Sequence, residues 1–387
     1  MATPIRVVVL GYVVRGPLGG LAWHHLQYVA GLARLGHDVW FVEDSDEYPA
    51  CYDPSNDSIG TDPAYGIDFA KRAFDRLDLG DRWAYHDAHE ERWLGPRASD
   101  IEEICRGAEV LLNLSGVNPI REWTQGIPAR VLVDTDPVFV QIRHLTDPSA
   151  RALADSHTAF ATFGERFGAD DCTIPDDGYA WRPTRQPVVL DLWDAVPGPR
   201  DGYFTTVMQW DSYPSREYGG RRYGMKSESL GPYVDLPSKT GELLELALGS
   251  RNAPREMLSE NGWVLRDPRE PTIDPWRYQR YLRESKGEFS VAKHGYVVSR
   301  SGWFSERSAA YLASGRPVVV QDTGFSELFE TGRGVLPFDD FSGALAGISS
   351  VANDYERHCK AARRFAAEYF DAAKVLPRLL DIASESP

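Results

Sequence analysis

SRSGWFSERSAAYLASGRPVVVQDTG, residues 299–324, is the stretch from which the rest of the chain can be read. It runs as loop, helix, turn and strand. Ser305 is placed to cap a helix whose first turn carries Glu306, Arg307 and Ser308. Gly315 is placed to take the left-handed position that ends this helix before a strand over 317–321. Unbonded amides at such a helix start, with Arg307 beside them and Lys293 and Arg300 just upstream, suit a diphosphate. A capped surface helix with ordinary charges accounts for the same residues equally well.

Outward from this stretch, strand and helix signals alternate on both sides. In the N-terminal half, strands are expected over 5–12, 39–42, 110–114, 130–133 and 158–163. Helices are expected over 21–35, ended by Gly36, and over 100–106. Pro and Gly interrupt the pattern at 195–202, which reads as a linker. Beyond it come a strand over 203–209, a helix over 239–248, a strand over 263–265, a helix over 276–283 with Pro275 at its first turn, and a strand over 289–292. Residues 354–383 read as mostly helical. The expected architecture is α/β, with two facing Rossmann-like domains and a cleft between them: 1–195, 203–353, and a helical tail over 354–387 that crosses back to the first. Ligands in such sheets sit at the carboxyl ends of the strands.

Composition sets the outer bounds. The chain has 387 residues, 42% of them apolar, enough for two separate cores. Its formal charge of -15, from 42 Lys and Arg against 57 Asp and Glu, predicts no nucleic-acid partner and no attraction to anionic membranes. No apolar run reaches membrane-spanning length, and residues 1–6 lead into a strand without a signal-peptide pattern, so a cytoplasmic protein is expected. Cys51, Cys105, Cys172 and Cys359 lie far apart and read as reduced thiols.

The 313–324 turn, ASGRPVVVQDTG, followed by Glu327 and Leu328, resembles the donor-binding segment of GT-B glycosyltransferases, especially the bacterial glycosyl transferases group 1 type. The resemblance implies a sugar moved from a nucleoside diphosphate sugar to a hydroxyl of a small-molecule or glycan acceptor. It implies the donor as co-substrate, with no further cofactor and no bound metal. A nucleotide-sugar epimerase of the same fold, or a noncatalytic partner that binds nucleotide or glycan, are the alternatives. One departure is plain. The two glutamates usual in that family fall here on Gly302 and Ala310. Glu327 is then the nearest carboxylate to replace a ribose ligand, and Asp322, Thr323 and Gly324 should face the sugar.

Other candidates complete the site. Gly19 and Gly20 can bring backbone amides close to a ligand at the start of the 21–35 helix, and in the resembling enzymes this loop faces the cleft. His24 and His25, in the first turn, are candidate bases for an acceptor hydroxyl; one packed and one solvated histidine explains them as well. Helical geometry favours His24 as the cleft-facing member. Asp134 can orient a hydroxyl or pair with a histidine, or simply cap the turn that Pro137 fixes. Arg216, Arg221, Arg222 and Lys226 follow the first strand of the second half, where group 1 enzymes neutralise the leaving diphosphate. Lys226 is the preferred counterpart.

Overall fold

The computed structural model describes residues 3–47 and 49–385. Val7, Val8 and Val9 are buried on both faces of a strand, as a parallel sheet covered by helices requires. That strand, β1 (Arg6–Leu10), lies near the middle of an eight-stranded sheet with β2 (Asp38–Asp44), β3 (Trp83–Asp87), β4 (Arg92–Leu94), β5 (Val110–Leu114), β6 (Ala129–Asp134), β7 (Ala159–Thr162) and β8 (Trp181–Pro183). The order across the sheet is β8-β7-β6-β5-β1-β2-β3-β4. Pairing is parallel throughout, Arg6 opposite Asp38 for instance, except that β4 returns antiparallel on β3 with Tyr85 opposite Leu94. Among the described residues no helix is long and apolar enough to cross a membrane.

A second, wholly parallel sheet follows. Its strands are β9 (Phe204–Gln209), β10 (Leu244–Gly249), β11 (Val264–Arg266), β12 (Gly287–Ser290), β13 (Val318–Gln321) and β14 (Val335–Phe338), in the order β11-β10-β9-β12-β13-β14. The helix expected over 239–248 is not there. Pro237–Thr240 makes one helical turn, Gly241 takes the left-handed conformation at φ 67°, and β10 begins at Leu244. Leu, Glu and Ala favour helix locally, but all six residues of β10 are buried, and a strand covered on both faces is an unbroken apolar run. Glu245 only mimics a polar helix face; it is buried in an ion pair with Arg266, 2.9 Å away. The cationic stretch after β9, expected as a flexible loop, forms a hairpin of Arg216–Tyr218 on Arg221–Tyr223. Gly219 and Gly220, at φ 57° and 74°, make its two-residue turn.

The chain then returns. Helix Tyr355–Tyr369 packs on helix Glu306–Ala313, and the last helix, Ala372–Ser384, lies on helix Gly19–Arg34 and against β6 and β7. Gly31 allows that approach, since a Cβ there would sit 2.5 Å from Leu376 Cδ1. The two halves also meet directly. Trp23 Nε1 donates to the Pro275 carbonyl at 2.6 Å, Arg166 N to the Ser301 carbonyl at 3.1 Å and Thr173 N to the Ser299 carbonyl at 2.8 Å.

Candidate functional site

A cleft of about 950 Å³ opens between the carboxyl ends of the two sheets. Tyr12, Arg15 and Leu18 line it from the first half, and Gln209, Ser250 and Arg266, at the ends of β9, β10 and β11, from the second. The first wall is built by one carboxylate. Glu43, buried at the end of β2, accepts from the amides of Val13 at 2.6 Å, Val14 at 2.7 Å and Arg15 at 2.8 Å, and from Arg15 Nε at 3.2 Å. A hairpin of Cys51–Asp53 on Ser58–Gly60 overhangs the opening, and its Asp57 reaches Arg251 of the second half at 2.7 Å.

The expected helix start does not itself line this cleft, and reaches its wall through Arg307. Ser305 is the cap and accepts from Arg307 N at 3.2 Å; Gly315 ends the helix region at φ 71°. Arg307 is buried. Its Nε donates to Glu288 at 2.7 Å and its Nη1 to the Val207 carbonyl, a cleft-lining group, at 2.9 Å. Lys226 stands next to it, partly buried, and among the described residues no acceptor bonds or pairs with its ammonium. Desolvation first and the Arg307 charge second push its pKa down to about 7, against the pull of Glu306.

Gly20, His24, Gln186, Tyr278, Glu306 and Arg307 enclose a small adjoining cavity. His24 Nδ1 lies 2.6 Å from Gln186 Oε1, and burial lowers its pKa although Glu306 opposes this. His25 is held differently. Its Nδ1 donates to the Leu21 carbonyl at 2.9 Å, which leaves Nε2 the acceptor nitrogen, buried and unbonded. Burial, and then the neighbouring His24, lower its pKa well below the usual histidine range. Gly19 and Gly20 face protein rather than open cleft: a Cβ on Gly19 would lie 2.8 Å from the Asp274 carbonyl carbon, and one on Gly20 3.0 Å from the Tyr278 ring.

The remaining candidates form two separate knots. In the first, Lys293 Nζ donates to Asp136 at 2.8 Å and to the Tyr213 hydroxyl at 2.8 Å, while the hydroxyls of Tyr213 and Tyr296 both donate to Asp136. Asp134, beside it, accepts from Thr162 at 2.7 Å, Gln141 at 3.0 Å and Asp136 N at 2.8 Å, holding the turn; burial raises its pKa to about 6. In the second knot, Arg166 and Arg300 each pair with both Asp171 and Glu327. Asp322 accepts from Gly324 N at 2.9 Å, and the Thr323 hydroxyl donates to the Trp303 carbonyl at 2.6 Å. Ser308 lines a small void with Trp303 and Ser290.

Thus His24, Lys226, Ser305, Glu306 and Arg307 gather at one place, and Arg300, Asp322, Thr323, Gly324 and Glu327 at another. Gly302 explains the missing glutamate there. Its φ is 76°, and a Cβ would lie 2.7 Å from Arg166 Cγ, so Arg166 occupies the space of a side chain. Arg166, Glu288 and the cleft arginines carried no motif and were not legible as site residues. Among the described residues no group of three or more His, Cys, Asp or Glu is gathered as metal ligands would be.

No protein-family model and no curated protein sequence matches this chain. Solved structures do. An alpha-glucosyltransferase in complex with UDP-glucose and DNA containing an abasic site superposes with a TM-score of 0.59 at 10% identity, over 99% of this chain and 100% of that one. Anabaena Alr3699/HepE in complex with UDP and glucose gives 0.56 at 11% identity, over 98% and 100%. AviGT4, a glycosyltransferase involved in Avilamycin A biosynthesis, gives 0.50 at 13%, over 98% and 97%. The first of these overturns one expectation. A net charge of -15 does not exclude nucleic-acid partners, because a protein of this fold is held on DNA. Net charge averages over the whole surface, whereas salt screens each charge within about 8–10 Å; Arg216, Arg221 and Arg222 share one short hairpin with Glu217, and Arg222 is paired with Glu228 at 3.0 Å. The chain has the GT-B fold, two Rossmann-like halves facing each other across a cleft, and its resemblance is to the glycosyltransferases built on that fold.

Proposed function

We propose that this chain is a glycosyltransferase that moves a sugar from a nucleoside diphosphate sugar to an acceptor hydroxyl, with residues 203–353 holding the donor and 1–195 facing the acceptor. Lys226 carries the reading. Its ammonium is drawn out of water beside Arg307; Glu306 and Glu288 pull on it, but among the described residues no acceptor bonds to it, so it is left short of the negative charge that would restore its proton. A diphosphate oxygen supplies it, and the first-turn amides of helix Glu306–Ala313 add donors to the same group. The nucleoside then lies in the cleft, and Lys226 stabilises the negative charge that grows on the departing diphosphate. His24, which shares a cavity with Glu306 and Arg307, is the histidine we assign to the reacting groups; its lowered pKa keeps the ring neutral near pH 7 and able to take a proton.

UDP is the first nucleotide to test, since the structural neighbours hold UDP or UDP-glucose. Calorimetry should show UDP binding to the native chain and a loss of roughly 10- to 150-fold in Lys226→Ala, the range of one charge-assisted hydrogen bond. Mass spectrometry with UDP-glucose should then find a glycosylated acceptor in a panel of glycans, small hydroxylated molecules and DNA containing a HMU base. Absence of nucleotide binding, or binding indifferent to Lys226→Ala, would overturn the assignment. A changed sugar on an intact nucleotide, formed without acceptor, would mark an epimerase instead.

A further inference from the structure

A second basin, of about 370 Å³, lies away from the cleft, between the carboxyl edge of the first sheet and the last two helices. Glu165, Thr184 and Arg185 form one wall, following β7 and β8; Tyr369, Lys374 and Arg378 form the other. Its charges are unevenly matched. Arg185 pairs with buried Glu165, and Lys374 Nζ with Glu368 at 2.9 Å, but Arg378 has no hydrogen-bond or ion-pair partner among the described residues. Thr184 is buried, and its hydroxyl makes no hydrogen bond to the described protein. The volume falls within the range of small-ligand pockets.

We infer that this basin is a second ligand site, taking a small oxyanion-bearing molecule whose phosphate, sulfate or carboxylate group is held by Arg378, Lys374 and the Thr184 hydroxyl. Three cations face two carboxylates, so an incoming anion completes the set. Glu165 makes the site proton-linked. It is buried against Arg185, with Arg378 also acting on it; Glu368, Lys374 and Tyr369 face it across the basin. Burial lifts its pKa to about 7 although Arg185 and then Arg378 pull it down. A bound anion favours the protonated form, so affinity should fall as pH rises through 7.

Sulfate is the probe, because it does not titrate in this range. Equilibrium dialysis of radiolabelled sulfate at constant ionic strength, with excess UDP present to occupy any diphosphate site, should show one site per chain. Affinity should weaken at least tenfold in Arg378→Ala and in Lys374→Ala, and severalfold between pH 6 and pH 8. Glu165→Gln should bind as well at pH 8 as at pH 6. Both helix substitutions are at exposed positions and leave the fold intact, which a UDP titration of each variant verifies against the native chain. Sulfate binding that UDP abolishes, that survives both substitutions, or that is absent altogether would overturn the site.

Discussion

Lys226 poses a choice between stability and binding that can be measured at one side chain. Its folded pKa is about 7 and its ordinary value 10.5, so between these limits the unfolded chain holds the extra proton. Stability contributed at this position therefore rises with pH from 7 to 10.5, and below 7 the full cost of the desolvated charge is present. Lys226→Met removes that cost. We expect the variant to be more stable by about 1–2 kcal/mol at pH 7, the gain vanishing near pH 10.5, as differential scanning calorimetry will show. The same variant should lose UDP affinity. In the native chain UDP must bring a proton back to Lys226 once the pH exceeds 7, so affinity should fall by up to tenfold per pH unit above that point, and Lys226→Met should flatten this dependence.

At the scale of elements, the glycines of the first helix are the sharpest test. Gly19 sits where helix Gly19–Arg34 meets the Asp274 cap of helix Pro275–Glu284, and Asp274 Oδ1 already accepts from Trp276 N at 2.9 Å and Arg277 N at 2.8 Å. A methyl group there would meet backbone, which cannot rotate away. Gly19→Ala should cost roughly 1–3 kcal/mol through overpacking and lower the melting temperature, whereas Gly36→Ala, with nothing within 4 Å of its Cβ but a φ of 88°, should cost only its local backbone strain. The sequence marked Gly19 and Gly20 as points of close approach. What approaches is the other half of the protein, a long-range fact that no local pattern encodes. The cap at Ser305, the end at Gly315 and the strands of β-branched residues were legible because their causes are local. β10 was not, because only its neighbours in the sheet reveal that Glu245 is buried.

For the whole molecule, the Asp136 knot is one of the side-chain contacts that join the two halves. Asp136 belongs to the first half, yet all three side-chain donors it holds, Lys293, Tyr213 and Tyr296, come from the second. The Lys293 ammonium also lies over the rings of Tyr213 at 4.4 Å and Phe139 at 5.2 Å, so the contact is both ionic and aromatic. Lys293 was expected at the diphosphate; in this structure its ammonium is committed to the first half instead. Opening the cleft requires breaking this knot, and so does releasing Lys293 to a ligand. Asp136→Asn keeps the shape while removing the charge and placing an amide among donors. We expect the radius of gyration in small-angle scattering to increase and nucleotide exchange to quicken. A double-mutant cycle with Lys293→Met should give a coupling of roughly 1.5–3 kcal/mol in unfolding free energy, since the two charges face each other in a shielded place. Additive effects, with scattering unchanged, would show that the halves are held elsewhere, by the backbone bonds around Arg166 and Thr173 and the ion pairs of Arg166 with Glu327 and Arg300 with Asp171, and that the knot only fills space.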